Sequence, residues 1–211
     1  MLKISISKLE QARLNPKAFV ASLNDVSKGF GSKGSFSGTF KTYIGKFHNE
    51  DVEKEKLYRQ LHDVYKLQFV ENPSNNRRTE KYCDAFTAYT EYMRKHDFGL
   101  DNFFTRIDLN VLSDVSLGGN SPILSSSEDR IMVFSIQENS HQWQTELKYP
   151  IFQKYLADNY YDCESGNVEI GVFNIENGQF ELTTYNEEDI ENAFKETKSI
   201  LGIVKKMVDS K

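Results

Sequence analysis

Residues 131–156 read IMVFSIQENSHQWQTELKYPIFQKYL, and the rest of the chain arranges itself around them. From Ile131 to Gln137 the side chains are β-branched, aromatic or otherwise apolar with few interruptions, the pattern of an interior strand covered on both faces. After a polar connection, Pro150 stands where a first helical position belongs, and Ile151, Phe152, Tyr155 and Leu156 recur at helical spacing. A buried strand therefore feeds an amphipathic helix. In α/β domains chemistry gathers where such a strand ends, which puts Ser135, Gln137 and Glu138 at the position that decides catalysis. As they stand they are poor catalysts.

Outward from this pair the elements follow from periodicity. On the N-terminal side, Ile107, Leu109 and Val111 alternate with Arg106, Asp108 and Asn110, a half-buried strand running toward Leu117. Gly118 and Gly119 interrupt it, Pro122 to Ser126 form a second strand, and SSSEDR turns into the central one, so a three-stranded meander is expected. On the C-terminal side, VEIGVFNI at 168–175 is a further buried strand, and Asn177-Gly178 signals a hairpin completed by FELTTY. Asn186, followed by Glu187, Glu188 and Asp189, caps a last helix whose buried face carries Ile190, Ala193, Phe194, Leu201, Val204 and Val208.

Upstream lie two helices, over 50–71 and 79–96, with NPSNNRR at 72–78 as the turn between them and Arg77 and Arg78 as a small basic cluster. Ser7 and Glu10 have capping-box spacing for a helix from Lys8, and Asn15-Pro16 caps a second short helix. Between these regions, SKGFGSKGSFSGTFKTYIGKF at 27–47 holds five glycines, four lysines and no acid, which reads as a basic, aromatic, flexible loop. Its Gly29, Gly31 and Gly34 spell G-x-G-x-x-G, but no strand precedes them and no helix is expected after them. Ser35 stands where a Walker loop needs lysine. The stretch can meet phosphates through Lys28, Lys33, Lys41 and Lys46 while its aromatics stack on bases or anchor it to the domain.

Length and composition limit the rest. A chain of 211 residues without a low-complexity linker is read as one domain, with a helical N-terminal elaboration over 1–78 and an α/β core over 79–211. The net charge of −5 gives no global attraction to nucleic acid. Cys83 and Cys163 have no zinc or iron-sulfur spacing and are read as reduced; His48, His62 and His96 are dispersed, so no metal ligand set is expected. No signal peptide and no apolar run of about 18 residues is present, so the expectation is a cytoplasmic protein without membrane contact.

The order helix, three strands, helix, strand over 79–175 resembles the RecB-like branch of the PD-(D/E)XK nuclease superfamily, which includes AddB-type subunits and CRISPR-associated exonucleases. The opening SISKLEQARLNPKAF is similar to that family's Ser-x-Ser-x-Leu helix and Cys-Pro-x-x-Phe step, with Asn15 in the cysteine's place. The family's Gly-x-x-Asp matches Gly119-Asn120-Ser121-Pro122, its Asp/Glu-x-Lys matches Ser135-Ile136-Gln137, and its Gln-x-x-x-Tyr matches Lys148 and Phe152. The resemblance implies a PD-(D/E)XK-like core with a degenerate site at Pro122, Ser135 and Gln137. That means no catalytic residue, no cofactor, and a non-catalytic subunit binding a protein partner, with DNA as a further partner, in a DNA-processing or phage-defence assembly. Two alternatives stay open. One is a Mg2+- or Mn2+-dependent nuclease with relocated carboxylates, using Glu146, Lys148 and Asp108 or Asp114. The other is an α/β interaction protein unrelated to nucleases.

Trp143, the only tryptophan, falls in the connection SHQWQTE. It is expected either to plug the lost active site or to present an interface with His141 and Tyr149, the plug being preferred for the isolated chain.

Overall fold

The computed structural model describes residues 1–23, 35–50, 52–139 and 142–210. The chain opens with strand β1 (Leu2–Ser5), a 3-10 turn (Ile6–Lys8) and helices α1 (Leu9–Leu14), α2 (Pro16–Ser22), α3 (Phe36–Asn49), α4 (Lys54–Gln68) and α5 (Pro73–Lys95). Strands β2 (Gly99–Asn102), β3 (Arg106–Leu112), β4 (Val115–Asn120), β5 (Ile123–Ser126) and β6 (Ile131–Gln137) come next. Helix α6 (Lys148–Leu156), hairpin β7 (Val168–Asn174) and β8 (Gln179–Thr183), and helix α7 (Glu187–Asp209) complete it. The fold is α/β.

The described strands form two mixed sheets, one of five strands in the order β2-β5-β6-β7-β8 and one of three in the order β1-β4-β3. In the larger sheet β6 and β7 run parallel and the other neighbours antiparallel. The parallel pair exists because α6 carries the chain across a face of the sheet between them, the connection that a parallel pairing needs. Alternation along β6 then divides the interior. Met132 and Phe134 join Phe173 and the aromatics of α3, α4 and α5 in one core, while Val133 joins Ile170, Val172, α6, α7 and the smaller sheet in the other. The sheet is therefore covered on both sides, as the apolar runs of β6 and β7 require.

Four sequence expectations are corrected. The first strand of the expected meander does not join the central sheet: Arg106–Leu112 pairs with Val115–Asn120 in the smaller sheet, where β1 adds in parallel, and β2 takes its place beside β5. Residues 36–47 are not a flexible loop but most of α3. Ser35 accepts the Gly38 N–H at 2.9 Å as N-cap, and Phe36, Phe40, Tyr43 and Ile44 are buried at helical spacing. Residues 73–78 are not a turn but the start of α5, because Asn72 caps it by accepting the Asn75 N–H and Pro73 fits the first turn. The expected boundary at residue 78 thus falls inside a helix. Finally, Ser7 does not cap a helix: its hydroxyl meets that of Ser5 at 2.8 Å, and Glu10 reaches across to accept the Leu147 N–H at 2.7 Å.

Other readings hold. Asn15 accepts the Ala18 N–H, Asn186 accepts the Asp189 N–H, and β6 spans Ile131–Gln137. Pro150 is the third residue of α6 rather than the first. The β7–β8 hairpin turns with Gly178 at φ 66° as its one residue of positive φ, so it is not the type I′ turn that Asn-Gly suggests. No helix among the described residues is long and apolar enough to cross a membrane.

Candidate functional site

The pairing of β5 with β6 sets Ile123 opposite Phe134 and Leu124 opposite Val133. Carried one residue further, the same register sets Pro122 opposite Ser135. Both line a cleft of about 280 Å³ at the C-terminal half of β6. Lys148, the first residue of α6, and Phe152, one turn later on the same helical face, form another wall. Four positions that the motif comparison picks out separately in the sequence are thus brought together by one strand register and one crossover helix.

The remaining walls come from segments distant in sequence. Parallel pairing of β1 with β4 brings the 3-10 turn to the cleft, where Ile6 and Ser7 line it. The end of β4 contributes Asn120, and the β4–β5 connection Ser121. Ser121 is buried, its hydroxyl accepting the Thr105 N–H at 2.8 Å and donating to the Pro122 carbonyl at 2.9 Å, so this wall is fixed in place. Helix α3 delivers Lys41, one turn before Gly45. A Cβ on Gly45 would stand 3.0 Å from the Phe103 ring, so the absent side chain lets α3 pack closely on a second residue of the cleft wall.

Among the described residues no Asp or Glu lines the cleft, and the charged groups that do are Lys41 and Lys148. The Lys148 ammonium lies 2.5 Å from the Glu146 carboxylate and 5.0 Å from the centre of the Tyr149 ring. Lys41 is exposed and makes no ion pair with a described residue. Ser135 and Gln137 share the α6-facing side of β6, and both meet the hydroxyl of buried Tyr149, Gln137 Nε2 donating to it at 3.3 Å. Burial pushes that phenol up to about 12, so it stays protonated through the physiological range.

A divalent cation bound as the resemblance implies would need carboxylates at Pro122 and Ser135. A proline ring and a hydroxyl supply none, and the described residues contain no group of three or more His, Cys, Asp or Glu able to hold a metal ion. The residues do not fit the metal. Of the relocated acids none is among the described residues that line the cleft: Asp108 pairs with Lys3 at 3.1 Å, Asp114 with Lys205 at 2.8 Å, and Glu146 with Lys148. The hydrogen bond from Lys205 holds the Asp114 carboxyl below its ordinary range.

Of the described residues named as able to meet phosphates, and of Arg77 and Arg78, Lys41 alone lines this cleft. Lys46 lies 4.7 Å above the Tyr43 ring, Arg77 is exposed on α5, and Arg78 binds Glu138 at 2.6 Å while covering Phe36. Lys28 and Lys33 lie outside the described residues, as does His141. Trp143 and Tyr149 are buried in the core of this chain, and neither is among the described residues that line the cleft. Ser7, Phe103, Asn120 and Ser121 were not singled out as site residues. Ser7 carried a signal as part of the SISKL opening, and Asn120 and Ser121 as the middle of the Gly-x-x-Asp match, but Phe103 had none, because chain crossing alone places it here. No family model matches the chain, and no curated protein matches it.

Proposed function

We propose that the chain is a non-catalytic, nuclease-like subunit of the RecB-like PD-(D/E)XK type, acting with a protein partner and with nucleic acid in a DNA-processing or phage-defence assembly. One observation carries this reading: Pro122, Ser135, Lys148 and Phe152, the motif-matching positions, line one cleft, and none of them is a carboxylate. Two further features support it. The order α5, β2, β5, β6, α6, β7, with the β3–β4 hairpin set into the smaller sheet, keeps helix, three strands, helix, strand around a mixed sheet. The SISKL opening, quoted for the resemblance, reaches the same cleft through Ile6 and Ser7.

Phosphodiester hydrolysis in such a site depends on carboxylates that hold a cation against the attacked phosphate. Here a proline ring and a hydroxyl stand at the two positions matched to those acids, Pro122 and Ser135, and the cleft's described charged groups are lysines. The chain would then contribute binding, and a partner the chemistry. Cys83 and Cys163 are both free, in keeping with a reducing cytoplasm.

The test is incubation of purified protein with single- and double-stranded DNA and Mg2+ or Mn2+. No cleavage is expected. Cleavage that disappears in Glu146→Ala would replace this reading with that of a metal-dependent nuclease using relocated carboxylates.

A further inference from the structure

We infer that the cleft binds a phosphate ester directly on Lys41 and Lys148, with no metal ion between protein and phosphate. The inference rests on the reading above in taking this cleft as the binding site, but its argument comes from the side chains that line it. A phosphate oxygen needs hydrogen-bond donors and positive charge. The walls supply both: two ammonium groups, the hydroxyls of Ser7 and Ser135, and the Asn120 amide, with no carboxylate among the described lining residues to repel an anion.

The two lysines are not equivalent. Lys148 gives one donor to Glu146, and an ammonium has three, so it can still meet an anion without losing its partner. It also opens α6, so its ammonium stands beside the positive end of that helix's dipole. Lys41 has no carboxylate partner among the described residues, so none of them offsets its charge at the cleft wall. The two cations come from helices that pack on opposite sides of the central sheet, α3 and α6. A bound phosphate would bridge those layers at the sheet's edge.

The volume of about 280 Å³ suits one phosphate with its sugar rather than a duplex. Phe103 lines the cleft, and Phe104 beside it is 54% exposed, an aromatic face on which an unstacked base can lie. The phosphate ester is therefore that of a single nucleic-acid strand or of a free nucleotide, the two sources sharing this chemistry.

The experiment measures binding with EDTA present, using fluorescence anisotropy for labelled oligothymidylates of increasing length and calorimetry for thymidine monophosphate. Binding that survives EDTA and weakens about tenfold in Lys41→Ala supports the inference, as the loss of one charge-assisted hydrogen bond would produce. For oligonucleotides the slope of log affinity against log salt should also fall by about 0.7. Ser135→Asp, on a half-exposed position that tolerates a polar side chain, should weaken binding further by placing an acid in the cleft. Affinity that grows with oligonucleotide length identifies a strand as the source, and affinity already complete with the mononucleotide identifies a free nucleotide. Unchanged affinity in both variants, with melting temperatures equal to wild type, overturns the inference while leaving the non-catalytic reading in place. Absence of binding to any of these probes by the wild-type protein at low salt overturns it as well. Cleavage of the oligonucleotide on adding Mn2+ would instead overturn the reading on which it rests.

Discussion

Trp143 Nε1 donates to Glu181 Oε2 at 3.1 Å, and Asn174 Nδ2 donates to the other oxygen of the same carboxylate at 3.0 Å. The indole is 1% exposed and meets the Tyr149 ring edge-on at a centroid distance of 4.9 Å. A residue from the connection after β6 is thereby fastened to β8 on one side and α6 on the other. Removing the ring would leave a cavity and lose one donor to the Glu181 carboxylate. Trp143→Ala is expected to lower unfolding stability by about 3–5 kcal/mol. Urea denaturation checks it: a midpoint equal to wild type would show that the ring does not act as a plug.

Gly171 lies in the middle of β7, where a Cβ would fall 1.9 Å from the Glu181 carbonyl oxygen and 3.0 Å from the Leu182 Cα. Both are backbone atoms of β8, which cannot turn aside as a side chain could. Gly171→Ala is therefore expected to cost at least the ~1–3 kcal/mol typical of an overfilled core. The loss should appear as a lowered melting temperature with faster hydrogen exchange in β7 and β8. An unchanged melting temperature would mean that the two strands separate more easily than their pairing suggests.

His48 Nε2 lies 3.0 Å from the Tyr89 hydroxyl beneath α3, and burial lowers its pKa from an ordinary 6.5 to about 4. Between those values the unfolded chain holds a proton that the folded chain does not. Folding stability from this group is thus fully present above about pH 6.5 and is lost as the pH falls through the window toward 4. Denaturant titrations across that range should show stability declining with acid, with a shallower slope in His48→Gln. Equal slopes in the two proteins would contradict the burial of a neutral imidazole.

Much of the fold was legible because its elements carry a strong local period. The apolar run of β6, the Asn caps of α2 and α7, and the Pro-led first turn of α2 all use backbone requirements written next to the residues that meet them. Helix α3 was not legible, since Gly38, Gly45 and several serines and threonines lower helix propensity. Its existence depends on Phe36, Phe40 and Tyr43 finding aromatic partners on α4 and α5, such as Tyr65, Tyr82 and Phe86. That tertiary packing overrides the local preference, and it also decides the site, because Lys41 reaches the cleft only from a helix. Strand β1 is four residues long and pairs in parallel with β4 more than a hundred positions away, too short and too distant for periodicity to reveal. The positions Pro122, Ser135, Lys148 and Phe152 were singled out by the resemblance to the family's motifs; that the surrounding described charge is positive required the structure.

The most direct measurement for the central claim, that this cleft lacks the ligands of a metal-dependent nuclease, is a Mn2+ titration followed by electron paramagnetic resonance. It is run on the wild-type protein and on a variant carrying both Pro122→Asp and Ser135→Glu. The wild type is expected to leave the free Mn2+ signal undiminished, while the variant, with two carboxylates on facing strands, depletes it saturably. Stoichiometric Mn2+ uptake by the wild type, abolished in Glu146→Ala, would contradict the account.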